Sequence, residues 1–114
     1  MSENVIDQGT VELVVDSRGV ATIEFYHPLG NSLPGKLLRD LAQTVTQAGE
    51  DRTVKVILLK SAGERAFCAG ASFDELISIE DLETGKEFFS GFAGVINAMR
   101  KAPKFVLCRV QGKA

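Results

Sequence analysis

The sequence predicts an α/β fold, and three observations predict it. A period-two hairpin opens the chain, a helix with one apolar stripe follows, and that helix leads into a nearly unbroken apolar strand. Alternation of strand and helix is the order that lays helices on a largely parallel sheet. A length of 114 residues suits a single domain, and 45% hydrophobic with 25% charged residues is the balance of a folded globule. So small a domain buries a modest share of its surface, so its stability margin is thin. The formal charge of −2 provides no electrostatic footprint for nucleic acid or for an acidic membrane.

The elements follow in order. Met1 to Gly9 reads as a frayed terminus without the apolar segment of a secretory signal, and no apolar run reaches membrane-spanning length. Thr10–Asp16 and Val20–Tyr26 alternate as two strands joined by the Ser17-Arg18-Gly19 turn, with Ala21, Ile23 and Phe25 on the apolar face. A loop from Pro28 to Leu33, holding the turn formers Gly30 and Asn31, leads to a helix over 34–49. Pro34 suits its first turn, Gly49 its stop, and Leu37, Leu38, Leu41, Val45 and Ala48 form the buried stripe. Val54–Lys60 is apolar enough to predict a sheet covered on both faces.

Beyond it, Ala66-Phe67-Cys68-Ala69-Gly70-Ala71-Ser72-Phe73-Asp74 organises the chain. The small residues let a ligand approach the main chain, and Ser72 with Glu75 reads as a capping box that starts a short helix. A helix start of this kind favours an oxygen carrying negative charge. Ser78-Ile79-Glu80-Asp81 reads as a second capping box for a long helix, whose buried stripe is Phe89, Phe92, Ile96 and Met99, widened by Phe88 and Val95. Lys101-Ala102-Pro103 ends that helix, and Lys104–Val110 is a further strand. The layout is β-β-α-β-(α)-α-β, a repeating ββα pattern.

The central stretch resembles the motif of the crotonase family, also called the enoyl-CoA hydratase/isomerase family. His27-Pro28-Leu29-Gly30-Asn31-Ser32-Leu33 resembles that family's Arg/His-Pro…Asn-x-Leu segment. Val110-Gln111-Gly112-Lys113-Ala114 resembles the opening of its Val-x-Gly-x-Ala-x-Gly-Gly-Gly segment. The resemblance implies a crotonase-like spiral of ββα units, of which residues 1–114 form the N-terminal part, about the first turn and a half. It implies an acyl-CoA thioester as substrate, with coenzyme A as part of that substrate and no separate cofactor or metal. The main-chain N–H of Ala71 is then one donor of an oxyanion hole. Ser32 and Leu33 lie beside the pantetheine, and Ala69, Gly70, Ser72, Phe73 and Asp74 lie around the CoA. The second donor and the catalytic glutamates of that family correspond to positions after Ala114; Glu64, Glu75, Glu80, Glu83 and Glu87 do not match them. Where many family members have Asp, this chain has Ser72, which caps a helix equally well. Assembly as a homotrimer or hexamer follows by the same analogy; a cytoplasmic location is the expectation from two reduced cysteines and an opening without a secretory signal.

Other readings are weighed against these. His27, the only histidine, suits a general base or a structural residue held extended before Pro28. Arg65 suits a CoA phosphate or a solvated surface charge. Cys68 and Cys108 fit no metal pair and read as two buried, reduced thiols, with Cys68 lacking a partner that would activate it. Phe73 suits a wall beside adenine or a core position, and Phe88 to Phe92 suit the core or the border of an acyl pocket. The functional reading is an enoyl-CoA hydratase or isomerase acting on a 2-enoyl-CoA in fatty-acid or related acyl-CoA metabolism. The alternatives are another crotonase reaction, a non-catalytic CoA-binding remnant, or a small α/β nucleotide-binding or interaction module. The last lacks Gly-x-Gly-x-x-Gly after a strand and any phosphate-loop Gly-Lys-Ser/Thr.

Overall fold

Two long parallel strand-to-strand crossovers set the architecture. The computed structural model describes residues 9–63 and 66–114; the expectations for Met1 to Gln8, Glu64 and Arg65 lie outside the described residues. Strands β1 (Thr10–Val15) and β2 (Val20–Tyr26) form the antiparallel hairpin, in the register Leu13 to Ile23. Asp16 closes its turn by accepting the Val20 and Arg18 amides at 3.0 and 2.8 Å. A two-residue strand β3 (Ser32–Leu33) and helix α1 (Gly35–Glu50) then lead to β4 (Val56–Ser61), parallel to β2. The pattern repeats as β5 (Gly70–Ala71), the short helix α2 (Phe73–Ile77), the long helix α3 (Leu82–Lys101) and β6 (Phe105–Cys108), parallel to β4.

The long strands line up as β1-β2-β4-β6 and the short ones as a separate parallel pair, β3-β5. Each unit is therefore a long strand, a short strand set off from it, and a helix. Stacking two such units is the ββα spiral that the sequence implies.

The core lies where α1 meets the sheet. Ala21, Ile23 and Phe25 from β2, Ile57 and Leu59 from β4, and the predicted α1 stripe Leu37, Leu38, Leu41, Val45 and Ala48 are all buried together. Helix α3 packs against α1 and adds Val95 to the same cluster. Burying side chains of this size stabilises by about 1.5–3 kcal/mol each, so this one cluster dominates the fold's stability.

Several expectations are corrected. The sheet is covered on one face: Val56, Leu58 and Lys60 are only half-buried, and Phe105 and Leu107 beside them on β6 are exposed. The α3 stripe is rotated, because Phe88 and Val95 are its buried residues while Phe89 and Ile96 are exposed. Adjacent apolar residues at 88–89 and 95–96 permit either phase, and contact with α1 selects one. Helix α3 begins at Asp81 rather than Ser78, with a capping box formed by Asp81 and Thr84. Gly49 lies inside α1, not at its stop. A Cβ there would come within 3.3 Å of Ala102 Cβ, so this glycine serves close approach to the end of α3. The thiols differ from their predicted burial as well, Cys68 being half-buried and Cys108 exposed. Among the described residues no helix is long and apolar enough to cross a membrane.

Candidate functional site

Two strand-to-helix turns lie side by side and carry most of the residues singled out above. In the first, β3 passes through Pro34 into α1; in the second, β5 passes through Ser72 into α2. The strands pair in parallel with Ser32 opposite Gly70 and Leu33 opposite Ala71. The Ala69 amide donates to the Asn31 carbonyl at 3.2 Å just before that pair begins. Residues distant in sequence thus meet on one edge, where Ser32 and Leu33 are buried and Ala69 is exposed. Gly70 has φ of +92°, a left-handed backbone that disfavours any residue with a Cβ, so a glycine is required at this bend.

Ser72 caps α2 by accepting the Glu75 amide at 3.4 Å, as the sequence predicts. The other half of that predicted capping box is absent. The Glu75 carboxylate turns away from Ser72 and accepts the Gly35 N–H with both oxygens, each at 3.0 Å. Phe73 is 69% exposed, which removes the core reading and leaves its ring facing solvent. Asp74 is exposed beside it.

Sequence reasoning treated Asn31 as a turn former, and the structure makes it the joint of the site. Its backbone is left-handed, with φ of 61°, and the residue is 4% exposed. Its Oδ1 accepts the His27 amide at 2.8 Å, and its Nδ2 donates to the carbonyls of Ala62 and Ala66 at 2.9 and 2.8 Å. One side chain therefore ties the loop after β2 to the loop after β4. The local signals are a Gly-Asn pair, both tolerant of positive φ, and the place of Asn31 in the Asn-x-Leu segment of the resemblance. A cleft of about 210 Å³ lies between these loops, lined by Tyr26, His27, Pro28, Gly30, Asn31 and Ala62, with Gly63 and Ala66. A larger groove of about 450 Å³ between α1 and α3 contains none of the residues that the resemblance marks.

His27 is nearly fully buried where it lines the smaller cleft. Its Nδ1 accepts the Leu29 amide at 3.1 Å and meets Ser32 Oγ at 3.2 Å, so the ring shapes the loop. Cys68 Sγ faces the Gly70 amide at 3.3 Å, a packing role consistent with its sequence reading. Phe67 packs edge-to-face on Phe25, with centroids 5.4 Å apart, and so anchors the stretch to the core. Phe88 meets Phe89 and Phe92 edge-to-face, Phe88 being buried within the helix layer.

The end of the chain lies against the same stretch. Gln111 Nε2 donates to the Ser61 and Gly63 carbonyls at 3.0 and 2.9 Å, and the Phe67 amide donates to the Lys113 carbonyl at 2.7 Å. Ala66 and Lys113 form a parallel bridge, so these two segments run in the same direction. Among the described residues no cluster of metal-ligating side chains occurs.

Comparison with known proteins matches this architecture to one family. The family model described as enoyl-CoA hydratase/isomerase matches residues 16–114. The human mitochondrial enoyl-CoA hydratase domain-containing protein 2 is 28% identical, over 95% of this chain and 34% of its own length. Methylglutaconyl-CoA hydratase from Rattus norvegicus is 30% identical, over 87% of this chain and 31% of its own. The crystal structure of an enoyl-CoA hydratase from Bacillus anthracis superposes with a TM-score of 0.80 at 25% identity, covering 90% of this chain and 40% of that one. The chain thus spans about a third of the length of these two relatives. A family model that runs through both ββα units, and solved structures that share their stacking, agree that this chain belongs to the enoyl-CoA hydratase/isomerase, or crotonase, family.

Proposed function

We propose that this chain carries the CoA- and thioester-binding part of an acyl-CoA-processing enzyme, an enoyl-CoA hydratase or isomerase acting on a 2-enoyl-CoA. The observation that carries the reading is the β3-β5 pair, which brings Ser32 and Leu33 against Gly70 and Ala71. The residues that the family resemblance assigns to the CoA thus share one edge of the molecule. In the proposed role the Ala71 N–H donates to the thioester oxygen. As a nucleophile adds at the β-carbon, the double-bond electrons move toward the thioester and negative charge grows on that oxygen. A fixed donor aimed at this oxygen acts where charge develops, and losing one costs about 2.7–4 kcal/mol of transition-state stabilisation. Ala69, Gly70, Ser72, Phe73 and Asp74 border the rest of the CoA, with Ser32 and Leu33 along the pantetheine. The exposed Phe73 ring suits the wall beside adenine. The direction of Gln111–Lys113 along Ala66–Phe67 supports a second donor entering from the segment that follows in the family pattern. Assembly into trimers or hexamers belongs to the same proposal.

Isothermal titration with a short 2-enoyl-CoA, followed by enoyl absorbance to detect turnover, tests this reading. Saturable binding that free CoA competes away is the expected result, with loss of the enoyl chromophore when the segment that follows Ala114 in the family pattern is present to supply the second donor and the glutamates. Binding without turnover even then would reassign the protein as a CoA-binding member of the family. Absence of saturable binding would overturn the proposal.

A further inference from the structure

We infer that Glu75 is a positioning residue for the thioester site, a cross-brace that sets the β5–α2 turn against the β3–α1 turn. The inference rests on the proposed acyl-CoA function. Helix α1 has no help of its own at its start: Pro34 is its N-cap, without a side-chain hydrogen bond, and its first turn holds no acidic residue. The orphan N–H groups of a helix start favour a carboxylate. Glu75 supplies one from α2, with both oxygens 3.0 Å from the Gly35 nitrogen across 40 residues of sequence.

The contact also excludes other arrangements. A Cβ at position 35 would lie 3.0 Å from Glu75 Oε1 and 3.3 Å from Arg39 Nη1, so Gly35 leaves just the space that the carboxylate fills. Arg39 is exposed beside it and lines, with Gly35 and Glu75, a cleft of about 160 Å³.

Position follows from connectivity. Glu75 lies four residues after Ala71, within α2, which Ser72 caps by accepting the Glu75 amide. The same residue therefore holds the helix start with its amide and grips the neighbouring unit with its carboxylate. A shift of α2 against α1 moves the Ala71 main chain relative to Ser32 and Leu33, which contact a different part of the proposed ligand. The parallel β3-β5 pair is only two residues long on each side, too short to fix that relation alone. Misplacement of a reacting group by about 1 Å costs on the order of a hundredfold in rate.

The experiment compares the wild-type protein with Glu75→Gln, Glu75→Ala and Gly35→Ala, the last displacing the carboxylate while leaving Glu75 in place. Alanine is a better helix former than glycine, so that variant is expected to stay folded, and circular dichroism checks each one. Two quantities are read: the affinity for free CoA, and the shift of the thioester carbonyl stretch of a bound acyl-CoA to lower frequency. Glu75→Ala is expected to keep CoA affinity and to lose most of the carbonyl shift, with kcat falling on the order of a hundredfold where turnover is measured. Gly35→Ala, whose Cβ would lie 3.0 Å from the carboxylate, is expected to keep affinity and to lose a smaller part of the shift. Glu75→Gln, which keeps an acceptor oxygen, is expected to restore part of the shift. Folded variants with an undiminished carbonyl shift would overturn the role of Glu75. Wild-type protein that binds no acyl-CoA, or binds it without any carbonyl shift, would instead overturn the functional proposal on which it rests.

Discussion

Replacing Asn31 by Asp tests the joint between the two loops with a change of a single group. The side chain keeps its shape and its acceptor oxygen for the His27 amide, but the two-proton donor becomes oxygen. Two carbonyls, Ala62 O and Ala66 O, then lose donors now 2.9 and 2.8 Å away, at a residue that is 4% exposed. Leaving a buried acceptor unpaired costs about 1–3 kcal/mol. Both bonds are only part-buried, which places each cost in the lower half of that range, so the two together come to about 2–4 kcal/mol. The pH dependence has a definite sign. Facing two carbonyls, the introduced carboxyl favours its protonated form, so its folded pKa rises above the ordinary value of about 3.9. The deficit is then smallest in acid, where the protonated group donates one hydrogen bond, and grows as pH rises through the raised value. Urea unfolding of both proteins across a pH series measures this. A loss below about 1 kcal/mol that is flat with pH, the behaviour of an ordinary surface change, would refute the assignment of Asn31 as the joint.

Two further outcomes follow from the structure. Lys104 Nζ donates to the carbonyls of Ala48 and Asp51 at the end of α1, so Lys104→Met is expected to lower stability by about 1 kcal/mol in urea unfolding; acyl-CoA binding should be unaffected, since the site adjoins the other end of that helix. The Asp16 carboxyl is held below its ordinary 3.8 by the Val20 amide and the Arg18 side chain, Asp51 by the Thr53 hydroxyl and amide, and Asp81 by the Thr84 amide and hydroxyl. Each contributes stability that is present above pH 3.8 and is lost as pH falls through its lowered value; acid unfolding should therefore begin below that point, and Asp81→Asn should make it shallower, whereas an unchanged acid limb would contradict the capping role.

What was legible in the sequence is what is local. The β1-β2 hairpin shows in strict alternation from Val20 to Tyr26, and the α1 stripe shows in the spacing of Leu37, Leu41, Val45 and Ala48, because each side's partner is the same core. The stretch around Gly70 is legible for another reason: its small residues mark a bend whose positive φ the structure displays. Where two local signals compete, reading fails. Ser78 and Asp81 are both residue types that cap a helix, and Thr84, whose Oγ1 accepts the Asp81 amide while its own amide donates to Asp81 Oδ1, decides between them. Glu75 satisfies the spacing of a capping box with Ser72, yet its carboxylate accepts the Gly35 N–H of the neighbouring unit instead. No local pattern records that choice, nor the 31 and 35 residues separating Asn31 from the carbonyls it holds.

The same distance effect explains how the two ββα units depend on each other. Helix α1 has no acidic residue in its first turn and no basic residue in its last, so nothing in its own ends complements its dipole. Both charges arrive from the second unit: the Glu75 carboxylate at Gly35 and the Lys104 ammonium at Ala48 and Asp51. Packing adds to this, since Val95 of α3 completes the cluster that α1 shares with the sheet. The first unit alone would therefore hold a helix frayed at both ends and open along one side. Capping, packing and the pairing of β3 with β5 all depend on the second unit lying against the first. The edge that carries Ser32, Leu33, Gly70 and Ala71 is a product of that contact, and its geometry is as firm as the two brackets on α1 make it.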